Sequence, residues 1–99
     1  MSNDIYKLNT TLYYDEDDNS ITDVCWVGES KLWAKKGRLY KRIEVTKENF
    51  ESLEQEYFIN EDCKYIYTAV NGKRNDIYIY SADNDWFDKI KEGKSSEKR

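Results

Sequence analysis

Residues 5–14, IYKLNTTLYY, alternate apolar or aromatic side chains with polar ones. This period of two is what most narrows the folds open to the chain. Tyr6, Leu8, Thr10, Leu12 and Tyr14 fall on one face of an extended backbone, with Lys7, Asn9 and Thr11 on the other, the pattern of a half-buried strand. DEDDNS follows as a turn and ITDVCWV as a short apolar strand, ended by Gly28-Glu29-Ser30. Lys36-Gly37 then folds KLWAK back onto RLYKRIEV as a hairpin, and CKYIYTAV and DIYIYSA form another around NGKRN. Only between these hairpins does the period change. Thr46 is an N-cap, and Phe50, Leu53 and Tyr57 follow at helical spacing, with Glu48 and Glu51 where the helix dipole favours acids. A helix is predicted over 47–57. Asp83 or Asn84 caps a second, short helix in DWFDKIK, ending before Gly93. The order β-β-β-β-α-β-β-α predicts an α+β domain over 1–92, built on an antiparallel sheet of about six strands. Residues 93–99, GKSSEKR, read as a disordered polar tail.

A chain of 99 residues is long enough for one domain with a modest core. Leu, Ile, Val and Phe together number twenty, a thin supply, so the fifteen aromatics must fill much of the interior. The N-terminal MSNDIYKL has neither the basic nor the apolar region of a signal peptide, and no apolar run approaches a membrane span. The expectation is a cytoplasmic protein with no membrane contact. Cys25 and Cys63 match no metal or redox spacing and are expected as free thiols.

Most chemistry is excluded at this level. There is no histidine, which removes Ser-His and Cys-His pairs, imidazole metal sites and the commonest general base. Asp15-x-Asp17-x-Asn19 opens like a calcium loop, but Ser20 stands where the sharp turn needs Gly and Trp26 where a bidentate Glu is needed. Glu29-Ser30-Lys31, after the carboxylates at Asp15, Asp17 and Asp18, resembles the Asp…Glu-x-Lys arrangement of a nuclease superfamily. Three-residue strings of this kind arise by chance, and Glu92-Gly93-Lys94 is a second. The chain is expected to be no enzyme, with no metal and no cofactor.

What remains is charge. Residues 31–42, KLWAKKGRLYKR, hold six cations and no acid, in a chain of net charge −4. The ten other Lys and Arg face all twenty Asp and Glu, leaving −10 elsewhere. A two-residue turn at Lys36-Gly37 pairs Lys35 with Arg38, Trp33 with Tyr40 and Lys31 with Arg42, and directly paired residues share a face. Lys31, Trp33, Lys35, Arg38, Tyr40 and Arg42 would then form a basic, aromatic surface, with Leu32, Ala34, Leu39, Lys41 and Ile43 turned to the core. A three-residue loop with Gly37 as a bulge would spoil that partition, and the hydrophobic pattern favours the two-residue turn. Tyr65, Tyr67, Tyr78 and Tyr80 suggest a second aromatic face, opposite Ile66, Ile77 and Ile79. A secondary acidic surface comprises Asp15, Glu16, Asp17, Asp18, Glu48 and Glu51. Such a dipolar surface suits steering towards a charged partner. The expected function is that of a small non-catalytic interaction protein, in the style of a phage-encoded inhibitor or an immunity protein. It would bind and inhibit or regulate a larger charged macromolecule, expected to be a protein, for example one that handles nucleic acid. The alternative is a nucleic-acid-binding module using the 31–42 hairpin.

Overall fold

In the computed structural model, which describes residues 4–25 and 30–91, the alternating segments form antiparallel strands in two sheets, with one helix. The strands are β1 (Ile5–Leu8), β2 (Leu12–Asp15), β3 (Ser20–Thr22), β4 (Ser30–Ala34), β5 (Leu39–Glu44), β6 (Tyr65–Ala69), β7 (Ile77–Ile79) and β8 (Phe87–Lys91), and α1 is Phe50–Glu56. The larger sheet runs β7-β6-β5-β1-β8 and the smaller β3-β2-β4. The coarse α+β expectation holds, but among the described residues eight strands and one helix replace the roughly six strands and two helices expected. The tail at 93–99 lies outside the described residues.

The long first strand is real in its alternation and broken in its middle. Tyr6, Leu8 and Leu12 are buried, as the period of two requires. The ladder is interrupted at 9–11, however, so β1 and β2 belong to different sheets. The same break splits the expected 31–42 hairpin. β4 pairs with β2 and β5 with β1, and β4 and β5 do not pair with each other. Tyr6 lies opposite Tyr40 and Leu12 opposite Ala34, so a single antiparallel register runs through the break. The segment at 35–38 is therefore a corner in a long arm.

Turn chemistry explains the corner. A tight hairpin of the common type needs positive φ at both central residues. Here Gly37 has φ +99 while Lys36 stays out of that region, and Arg38 N–H donates to the Lys35 carbonyl at 3.1 Å. Positive φ at the third position alone is the type II pattern, which splays flanking strands. Gly37 N–H donates to the Leu8 carbonyl at 2.7 Å, Leu8 N–H to the Arg38 carbonyl at 2.9 Å, and Lys36 N–H to Thr11 Oγ1 at 3.1 Å. The corner is fastened to the opposite arm at both sides of its turn.

Each face of the larger sheet carries its own core. On one face Tyr6, Leu8, Tyr40, Tyr67, Ile77 and Ile79 bury against Leu12 and Ala34 of the smaller sheet. On the other, Ile66 joins Tyr57 and Cys63, with Ile43, Val45, Leu53 and Tyr78 packed around them beneath α1. The β6–β7 register sets Tyr67 beside Ile77, Tyr65 beside Ile79 and Ile66 beside Tyr78. The expected separate tyrosine face is thus corrected: β6 and β7 place their tyrosines on opposite sides, because the register is offset by one residue from the one that would align them. The helix is shorter than the 47–57 expected, yet Thr46 does fix its approach. Thr46 N–H donates to Asn49 Oδ1 at 2.7 Å and Asn49 N–H to Thr46 Oγ1 at 3.3 Å, the reciprocal pattern of a capping box.

The second helix is replaced by β8. Asn84 Oδ1 accepts from Trp86 N–H at 3.0 Å, an Asx turn that competes with a helix cap. Asn9 N–H then takes the Trp86 carbonyl at 2.7 Å and draws the chain alongside β1. Phe87 stacks flat on Tyr67, centroids 3.7 Å apart. Edge pairing and ring burial outweigh a seven-residue helix with one apolar stripe.

Candidate functional site

The basic stretch does not form one surface. Tyr40 is fully buried, edge-to-face with Phe87 at 5.6 Å, because β5 is the central strand of a sheet covered on both faces. This corrects the exposed position expected for it. Trp33 is the extra residue of a bulge, since Leu12 faces Ala34 while Tyr13 faces Leu32. A bulge re-aims side chains, and here it leaves Leu32 half exposed and Ala34 buried, where both had been expected in the core. Lys31 pairs with Glu16 at 2.8 Å, a contact that raises its pKa by hydrogen bonding and charge although it stands in solvent. Arg38 donates to the Lys73 carbonyl. Arg42 lies between two rings, 4.7 Å from Tyr6 and 4.5 Å from Tyr65. Lys35, Lys36 and Lys41 are exposed and make no ion pair among the described residues.

The acidic surface also divides. Asp15 is buried, with Oδ1 accepting from Asp17 N–H at 3.0 Å. It is a turn-former, which corrects its expected surface role. Glu16, Asp17 and Asp18 stand exposed in the β2–β3 turn, and Glu48 and Glu51 stand exposed around the start of α1. The two groups sit on different elements. Among the described residues no group of three or more His, Cys, Asp or Glu side chains could hold a metal ion.

The site that the topology builds is elsewhere. A cleft of about 820 Å³ opens between the inner face of the smaller sheet, the outer edge of β7 and the 80–86 loop. Six aromatic side chains line it: Tyr14, Trp33, Phe58, Tyr78, Tyr80 and Trp86. Two of them are held by asparagines that also line it, and a third, Trp86, follows one in an Asx turn. The Tyr14 hydroxyl donates to Asn19 Oδ1. Trp33 Nε1–H donates to the Asn75 carbonyl at 3.0 Å, while Asn75 Nδ2 donates back to the Trp33 carbonyl at 2.8 Å. Asn84 fixes the Trp86 backbone as described above. Asn19 and Asn75 both adopt positive φ, which asparagine tolerates better than most residues. The Tyr14 and Trp33 rings sit 5.7 Å apart, tilted by 36°.

The electrostatics are divided between interior and rim. Among the described residues Asp76 is the one carboxylate in the lining, and Arg74 engages it through Nη2 at 2.7 Å and Nε at 3.1 Å. Arg74 also lies 4.5 Å over Tyr57 and 3.3 Å from Glu56, tying the end of α1 to the approach to β7. The cleft interior is therefore close to neutral. Its rim is not. Asp17 and Asp18 precede Asn19, and Asp83 and Asp85 flank Asn84, all four exposed. At the mouth stands Phe58, 92% exposed.

Sequence reasoning singled out Trp33 on an exposed basic face, whereas the structure places it in the cleft beside Tyr14, Phe58, Trp86 and the three asparagines, none of which it had named as candidates. The available signal was the asparagines, each in a turn within five residues of an aromatic or at a loop end. Which ring each would hold depends on long-range topology. No helix among the described residues is long and apolar enough to cross a membrane. No protein-family model, curated protein or solved structure matches the chain.

Proposed function

We propose that this is a small non-catalytic interaction protein that binds a larger protein and inhibits or regulates it, with the aromatic cleft as its contact. One observation carries the reading: two aromatic walls, Tyr14 and Trp33, each hydrogen-bonded through its ring to an asparagine, line an open cleft with a bare phenylalanine at its mouth. Rings already fixed in place lose little entropy on binding, and exposed aromatics concentrate interface energy. The lining favours binding over reaction, because its carboxylate is already engaged by Arg74. The acidic rim selects a partner segment with basic side chains around an apolar or aromatic anchor, such as the cationic surface of a protein that handles nucleic acid.

Affinity capture with three immobilised forms tests this: the native protein, Phe58→Ala with Tyr80→Ala, and Lys35→Ala with Lys36→Ala and Lys41→Ala. Capture of a protein that survives nuclease and is lost with the first pair supports the cleft. Capture of nucleic acid lost with the lysine triple would transfer the function to the basic stretch.

A further inference from the structure

Resting on the reading that the cleft receives a protein segment, we propose that the segment enters extended, as an added strand on the outer edge of β7. Among the described residues β7 pairs only with β6, so its other side is an open edge. The Ile79 carbonyl turns inward, accepting from Lys64 N–H at 2.7 Å. Backbone groups alternate sides along an antiparallel strand, so the N–H and C=O of Tyr78 point outward. Residues 76 and 78–81 form one wall of the cleft, which puts that outward edge against the space a ligand would fill.

The two edges of the larger sheet are treated differently. β8 carries Asp88, Lys89 and Lys91, and its pairing with β1 is interrupted by a bulge. Charges and bulges are how sheets keep an edge from pairing with other chains. β7 reads Ile-Tyr-Ile and has neither device. Opposite it stand Tyr14, Ile21 and Trp33 of the smaller sheet, placed to receive every second side chain of an added strand. Main-chain bonds with pockets for alternate side chains are the signature of strand addition. The acids at 17, 18, 83 and 85 flank the two sides of the opening and require a basic segment.

A synthetic heptapeptide alternating Lys with Phe and Val serves as the probe. Binding is followed by tryptophan fluorescence, and exchange of the Tyr78 amide by NMR. The proposal expects the peptide to slow Tyr78 exchange by about tenfold or more. N-methylation at alternate positions in one register should weaken binding by about tenfold, the equivalent of one lost hydrogen bond, and in the other register leave it unchanged. If the peptide binds the native protein and fails with Phe58→Ala/Tyr80→Ala, yet Tyr78 exchange and both N-methylated forms are unaffected, strand addition is wrong and the cleft reading stands. If it binds both forms equally, or neither, both ideas fall. Circular dichroism of the variant confirms that it is folded.

Discussion

Single side chains here separate what is buried from what is engaged. The Tyr40 hydroxyl is buried and makes no hydrogen bond of ordinary geometry among the described residues, with the Arg38 guanidinium as the charged group nearest to engaging it. Burial raises its pKa, with Arg38 opposing the shift. An unpaired buried hydroxyl is a cost without return. Tyr40→Phe should therefore keep or slightly raise stability, whereas Tyr40→Ala should lose about 3–5 kcal/mol through lost burial and a cavity. Urea denaturation of the two variants decides it; a large loss with Phe would mean that the hydroxyl has a partner after all. Asn75 is the opposite case, because its amide and carbonyl both serve Trp33. Asn75→Ala should cost about 1–3 kcal/mol, the penalty for a stranded backbone carbonyl, and should broaden the Trp33 indole resonance as the ring loosens. Alternation in KLWAKKGRLYKR showed that each strand has two unlike faces. It could not show that β5 is covered on both, because that depends on the β1 and β6 partners far along the chain.

Elements were legible where the local pattern marks a strand, as in β6 and β7, although the register between them was not, and lost where a single turn redirects the chain. Gly37 is the clearest instance. A Cβ added there would meet nothing within 4 Å, so space is no obstacle, but its φ of +99 is one that L side chains rarely adopt. Gly37→Ala should destabilise by about 1–2 kcal/mol from backbone strain alone, with Gly37→Asn milder. Equal loss from both, or none, would show that the corner rearranges instead of holding its conformation. The helix expected over 85–91 gave way for a related reason. Asn84 can cap a helix or close an Asx turn, and only the open edge of β1 decides between them. The bulge at Trp33 likewise shifts the side-chain period by one residue, which no alternation rule anticipates.

At the scale of the molecule, a thin aliphatic supply is offset by tyrosine, and that makes the protein sensitive to base. Tyr40, Tyr57, Tyr67, Tyr78 and Tyr80 all have hydroxyl pKa values raised above the ordinary 10.0, in each case chiefly by burial. Burial also raises the Cys63 thiol above 9.0. The sign follows from linkage: where the folded pKa is raised, folded and unfolded chains hold the same protons below the ordinary value. Above it the unfolded chain ionises first. Stability should therefore not depend on these groups below about pH 8, and should fall as pH climbs through about 9 for the thiol and about 10 and beyond for the tyrosines. Tyr40 and Tyr67 lie in the core between the sheets, Tyr57 and Tyr78 in or against the core under α1, so ionisation strikes both cores at once. Tyrosinate absorbance and far-ultraviolet circular dichroism should then change in a single coincident transition. Tyrosinate forming gradually, well before the dichroism moves, would mean that the rings reach solvent without unfolding and that the packing described here is looser than its distances imply. Tyr40→Phe supplies the internal check, because removing one buried ionisable hydroxyl should shift the transition to higher pH while leaving stability at neutral pH unchanged or slightly raised.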